Sequence, residues 1–142
     1  MKLYLDNCVF NRPFDTQSNI KTLLETEAKL NIQENIRRGN HELVWSYILD
    51  YENLKNPFQE RQEQIAKWKQ YAKIEIKAEN SLIQRAKSLK ESGLKSFDAL
   101  HIACAITAGA EYFLTTDKGI LKKAAIIHDI QIKNPIDFIR EV

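Results

Sequence analysis

Lys2-Leu3-Tyr4-Leu5-Asp6 opens the chain. Its apolar run fits a short buried strand, and the acid at its end marks the passage into a polar turn over Asn7 to Asp15. Outward from this stretch, strand-length apolar runs alternate with helical periodicities. Between Ser18 and Arg38, Ile20, Leu24, Ala28, Ile32 and Ile36 recur every fourth residue, which predicts one stripe of a long amphipathic helix stopped by Gly39 and Asn40. Leu43-Val44-Trp45 reads as a second strand, followed from Ser46 by a helix with Ile48, Leu49 and Glu52 on neighbouring rows. Asn56-Pro57 is a cap followed by a first-turn proline, and Phe58, Ile65, Trp68 and Ala72 then share one side of a helix running to about Tyr71.

Ile74, Ile76 and Ala78 alternate with Lys73, Glu75 and Lys77, the pattern of a half-exposed edge strand. Helices are expected over Ser81–Glu91 and from a capping Ser96 to Ala108, the second apolar on nearly every face and ended by Gly109. Tyr112-Phe113-Leu114 gives a fourth strand, Lys118–Ile126 a short helix, Ile130–Lys133 a fifth strand and Pro135–Ile139 a final helical turn or two. This alternation predicts an α/β fold: a single domain over residues 1–142 with a parallel sheet of about five strands covered by helices on both faces.

A chain of 142 residues with 44% hydrophobic residues can build one sizeable core without disulfide or metal staples, so a bound metal would be there for chemistry. Four Gly and three Pro exclude collagen-like and low-complexity readings. No apolar stretch approaches the roughly 20 residues of a spanning helix, so no membrane partner is expected. Asp6 arrives before a signal-peptide apolar region forms, which points to the cytoplasm. Cys8 and Cys104 lack a metal-binding spacing and read as reduced, buried, small apolar residues.

In an open parallel sheet, ligands gather at the carboxyl ends of the strands. Asp6 follows the first strand and Asp117 the fourth; Glu52 lies on the inward rows of its helix, with Asp50 turned away, and Asp98 sits in the first turn of the most apolar helix. Each has a structural alternative. Asp98 suits a helix N-terminus, Asp117 an N-cap, Asp6 a turn and Glu52 a solvated surface. Together, four like charges on one rim call for cations between them, and oxygen donors without a His or Cys cluster select Mg²⁺ or Mn²⁺.

The segments Leu5-Asp6-Asn7-Cys8-Val9-Phe10-Asn11-Arg12-Pro13-Phe14-Asp15, Ser46-Tyr47-Ile48-Leu49-Asp50-Tyr51-Glu52, Phe97-Asp98-Ala99-Leu100-His101-Ile102-Ala103 and Leu114-Thr115-Thr116-Asp117 resemble, in order and spacing, those of a PIN domain. The resemblance runs nearly end to end. It implies a metal-dependent ribonuclease, often the toxin of a toxin–antitoxin pair, with Asp6, Glu52, Asp98 and Asp117 as catalytic metal ligands. Where the family commonly has a hydroxyl residue after its first acid, this chain has Asn7 and then Cys8. Asn7 can hydrogen-bond a metal water instead, and Thr115 or Thr116 can supply hydroxyls.

An acidic pocket needs basic neighbours to receive a polyanion. Arg12, Lys95 and Lys118, with Lys122 and Lys123, are the candidate RNA contacts, each otherwise a solvated surface residue. His101, three residues after Asp98, reads as a satisfied core histidine within reach of that carboxylate. The aromatic residues around the helical hairpin read as core or oligomer interface; in the family this region often contributes to homodimers and receives the antitoxin. Two other readings stand beside the nuclease: a catalytically silent PIN-like protein- or RNA-binding module, and a doubly wound phosphatase using Asp6 as nucleophile. Against the phosphatase, Cys8 occupies the place where a second acid is expected.

Overall fold

In the computed structural model, which describes residues 1–141, β1 (Lys2–Leu5), β2 (Glu42–Ser46), β3 (Ala72–Ile76), β4 (Tyr112–Leu114) and β5 (Gln131–Lys133) form one sheet. The strands are all parallel and lie in the order β3-β2-β1-β4-β5. The chain winds outward from central β1 through β2 to β3, then returns to place β4 on the other side of β1. The order reverses between β1 and β4, where a doubly wound sheet opens a crevice at its carboxyl edge. The Asp6 N–H donates to the Leu114 carbonyl across this point at 2.9 Å.

Leu3, Tyr4 and Leu5 are all fully buried, so both faces of β1 are covered, as continuous apolar parallel strands require. At the edge, β3 alternates half-buried and exposed residues, and it ends at Ile76, short of the Lys77 and Ala78 that the alternation includes. The connecting helices are α1 (Asn7–Asn11), α2 (Ile20–Arg37), α3 (Tyr47–Leu54), α4 (Gln59–Ala66), α5 (Asn80–Lys90), α6 (Ser96–Thr107), α7 (Lys118–Leu121) and α8 (Pro135–Glu141). Gly109 ends α6 with φ +73°, a left-handed conformation that glycine adopts without a Cβ penalty. No helix among the described residues is long and apolar enough to cross a membrane.

Several expectations need correction. The polar turn expected over Asn7 to Asp15 is helical: α1 is followed by a 3₁₀ turn over Arg12–Phe14. The Asp6 carboxylate accepts the Asn7 N–H at 2.8 Å, and Pro13 supplies a φ suited to the second turn. The helices expected to reach Tyr71 and Ile126 end at Ala66 and Leu121 and continue as 3₁₀ turns. Phe58 and Phe97 are exposed rather than packed inward.

On α2 the buried face is rotated from the expected stripe. Ile20 is 75% exposed and Leu24 is exposed too, whereas Glu25, Lys29 and Gln33 are buried beside Ala28, Ile32 and Ile36. A polar network explains Glu25: it pairs with Arg12 at 3.1 Å and accepts from Asn134 Nδ2 at 2.5 Å. Lys29 has no such partner. Burial, then the charge of Arg37, bring its ammonium down to about 7.

Below that value Lys29 is charged both in the folded and in the unfolded chain, and the fold carries the full burial penalty. Above its ordinary value near 10.5 it is neutral in both and the penalty vanishes. Stability therefore rises with pH between the two. Lys29→Met is expected to stabilise the protein by about 2 kcal/mol at pH 6, with the gain shrinking toward pH 10. Denaturant melts at the two pH values check this, and an equal gain at both would contradict it.

Candidate active site

Asp6 stands at the end of β1, buried, where its two oxygens are held differently. Oδ1 accepts the Asn7 N–H; Oδ2 accepts the Thr115 hydroxyl at 2.8 Å and the Cys8 thiol at 3.4 Å. Thr115, just past β4, also accepts the Asp117 N–H at Oγ1, 3.0 Å away. Asp117 in turn caps α7, its Oδ1 accepting the Ile120 N–H at 3.1 Å. One hydroxyl thus ties the acid after β1 to the backbone of the acid after β4, across the switch point. Cys8 is half-buried in this network, not simply a small core residue. Burial, then the Asp6 charge, push its thiol up to about 12, so it remains a donor to Asp6.

Glu52 and Asp98 reach the site from helices. Ser46 caps α3 by accepting the Leu49 N–H, which sets the rows that carry Glu52 inward; Asp50, turned away, accepts from Trp45 Nε1 and Lys69. The Glu52 Oε1 lies 2.5 Å from His101 Nε2, and the same nitrogen is 4.0 Å from Asp6 Oδ1. On its other side, His101 Nδ1 meets the Tyr4 hydroxyl at 2.5 Å, which meets Ser46 Oγ at 2.6 Å. His101 is therefore a buried histidine whose carboxylate partner is Glu52, where the helical spacing points to Asp98. Burial alone would lower its pKa; the hydrogen bond to Glu52 and the charges of Asp6, Glu52 and Asp98 outweigh that and raise it.

Asp98 lies one helical turn before His101, half-buried. Burial pushes its carboxyl up, the charges of Asp6 and Asp117 add to this, and Glu52 contributes further; His101 opposes them, leaving Asp98 at about 6. Four separate elements thus bring their acids within electrostatic range of one another. Among the described residues, no three His, Cys, Asp or Glu side chains are grouped closely enough to grip an ion as they stand.

Asp98 and Asp117 open onto a cleft of about 290 Å³ whose walls include Lys95, Lys122 and Lys123. Lys118 heads α7, exposed and outside that lining. Arg12 faces elsewhere: it pairs with Asp15 at 3.0 Å and with buried Glu25. Thr116 is buried and gives its N–H to the Cys8 sulfur at 3.4 Å. Asn7 holds Asp6 through its backbone, while its side-chain Oδ1 is buried without a partner. Tyr4, Ser46 and Cys8 have roles here that spacing does not announce, since Cys8 reads as a small apolar residue and Ser46 as a helix start. The only signal for them was an inward strand position, a cap and a thiol two residues from an acid.

An open parallel sheet with carboxylates around its switch point defines a doubly wound α/β protein with an acidic rim. The family profile for the PIN domain matches residues 3–126, and the chain belongs to that family, whose members are generally nucleases. In three dimensions it is similar to the crystal structure of VapBC2 from Rickettsia felis bound to a DNA fragment from their promoter. The TM-score is 0.58 at 16% identity, over 94% of this chain and 98% of that one, a likeness of fold. No curated protein sequence matches the chain significantly.

Proposed function

We propose that this PIN domain is an endoribonuclease that depends on Mg²⁺ or Mn²⁺ and acts in the cytoplasm as the toxin of a toxin–antitoxin pair. The observation that carries this reading is Asp98, whose carboxyl is raised first by its burial and then by the neighbouring charges of Asp6 and Asp117, with Glu52 adding to them. Such mutual repulsion is what a divalent cation relieves. The donors fit a hard cation: all are carboxylate oxygens, and the unpartnered Asn7 Oδ1 adds a further acceptor beside Asp6. Asp6, Glu52, Asp98 and Asp117 would hold it. When bound, a divalent ion supplies Lewis-acid stabilisation of the charge that grows on a phosphodiester under attack by water.

The chain's own residues do the positioning. Thr115 fixes the orientation of Asp6, and His101, backed by Tyr4 and Ser46, fixes that of Glu52. Lys95, Lys122 and Lys123 set positive charge on the cleft wall beside Asp98 and Asp117, where a phosphate backbone would run. An antitoxin and a second copy of the chain are the protein partners this reading implies. Exposed Ile20, Leu23 and Leu24 on α2 offer apolar area for such contacts. The separation of the acids favours a second reading, a PIN-like module that binds RNA or protein without cutting. Incubation of labelled RNA with the protein plus Mg²⁺ or EDTA decides: cleavage only with Mg²⁺ supports the nuclease, and retention without cleavage supports the module.

Gly119 gives a finer check. A Cβ there would stand 3.0 Å from Asp117 Oδ1, which the Ile120 N–H already holds. Gly119→Ala is expected to turn that carboxylate and lower cleavage about tenfold, while the weakened cap on the Ile120 N–H offsets the gain in helix propensity and leaves stability within about 0.5 kcal/mol of the native chain. Cleavage rates and melts on the same preparation test the pair of outcomes. Unchanged cleavage would remove Asp117 from the site.

A further inference from the structure

A cavity of about 160 Å³ lies among α1, α2, α4 and the turn after α4, and the proposed nuclease chemistry makes no use of it. Its polar lining is Lys29, Gln33, Arg37 and Gln64, two cationic groups and two amides with no carboxylate among them. Lys29 and Gln33, one helical turn apart on α2, are each 4% exposed. The Lys29 ammonium lies 5.9 Å from the Phe10 ring centroid and 5.8 Å from that of Trp68. Among the described residues no carboxylate lies within ion-pair distance of it. Gln33 Nε2 is buried without a hydrogen-bond partner. Arg37 stacks over Trp68 at 4.8 Å, with Glu34 beside it at 3.6 Å.

Lysine this deeply buried is ordinarily paired, and a buried amide N–H is ordinarily bonded. One anion would satisfy both. Its shape is constrained as well: donors so far from solvent are reached only by a charge at the tip of a narrow stem. A phosphodiester, with a sugar on each side, is too thick. A carboxylate on a methylene stem fits, with Phe10 and Trp68 as apolar walls and exposed Phe14 and Leu30 at the rim.

We propose that this cavity is a carboxylate-binding site in which Lys29, Gln33 and Arg37 hold the anion, as presented by a glutamate or aspartate side chain of a docked protein segment. The site is separate from the acidic cleft and stands or falls without the nuclease reading.

The test is NMR titration of the Gln33 side-chain amide, identified by its loss in Gln33→Leu, with EDTA present and ionic strength fixed. At pH 6 Lys29 is charged. The probes are Ac-Glu-NHMe, its neutral isostere Ac-Gln-NHMe, acetate, and the dinucleotide UpU. Saturable shifts with Ac-Glu-NHMe at least tenfold tighter than with Ac-Gln-NHMe, weakened at least tenfold by Lys29→Met, are expected. Acetate binding as tightly as Ac-Glu-NHMe would support the site and assign it to free small carboxylates. No shift, equal response to the neutral isostere, tighter binding of UpU, or full binding by Lys29→Met would overturn the proposal.

Discussion

Asp6→Asn and Asp98→Asn are each expected to reduce Mg²⁺-dependent RNA cleavage by about 10³-fold, since a metal supplies several kcal/mol of charge stabilisation at 1.36 kcal/mol per tenfold. Neither change should unfold the chain. Asparagine at position 6 can still accept the Asn7 N–H through its amide oxygen, and its NH2, standing where Oδ2 was, can donate to the Thr115 hydroxyl oxygen once that hydroxyl turns its own hydrogen away. At position 98 the replacement removes a strain. The Asp98 carboxyl titrates at about 6 in the fold against an ordinary value of 3.8, so ionising it destabilises the metal-free protein. That penalty is absent below the ordinary value and fully present above about pH 6. Metal-free Asp98→Asn should accordingly melt higher than the native chain at pH 7 and cut far more slowly. Persistent cleavage in both variants would reject the assigned site.

His101→Leu is expected to destabilise the protein by about 3 kcal/mol. Leucine has similar volume, so packing alone explains little of that loss. The variant leaves the fully buried Tyr4 hydroxyl with Ser46 as its remaining neighbour and strips Glu52 of the imidazole beside it. A buried hydroxyl that loses one of its two partners and a half-buried carboxylate that loses its hydrogen-bonded imidazole are both unfavourable. Tyr4→Phe removes one hydroxyl of the same chain and should cost about 1 kcal/mol. Denaturant melts at pH 7 give both numbers. A His101→Leu loss no larger than that of Tyr4→Phe would show that Glu52 gains nothing from its histidine.

The sheet was legible because its signals are local. Leu3-Tyr4-Leu5 and Tyr112-Phe113-Leu114 are apolar runs closed by polar residues, and parallel strands buried on both faces leave that imprint. Asp6 follows such a run directly and Asp117 follows after two threonines, so their place at the sheet's carboxyl edge could be read without knowing what lies across from them. The contacts between distant segments could not. His101 stands three positions from Asp98, but its imidazole turns to Glu52, 49 residues away in sequence. Arg12 looks free beside an acidic motif until Glu25 is found buried against it.

The α2 stripe misled for a related reason. Periodicity finds apolar rows, whereas this helix buries Glu25 for an ion pair and Lys29 against aromatic rings while leaving Ile20 outside. Phe97 is similar: on an otherwise apolar helix, it emerges to stack on Tyr51 at 5.5 Å, with the Lys55 ammonium 5.7 Å from its ring centroid. Where a side chain's partner lies on another element, composition and spacing give its location and not its bond.

The central claim is that Asp6, Glu52, Asp98 and Asp117 share a divalent cation. Calorimetric titration of the purified protein with Mn²⁺ at pH 7, beside Asp6→Asn and Asp98→Asn, tests it directly. Saturable binding by the native chain, at least tenfold weaker in each variant, is the predicted result. Equal Mn²⁺ affinity in all three proteins, or no binding by the native chain, would contradict it.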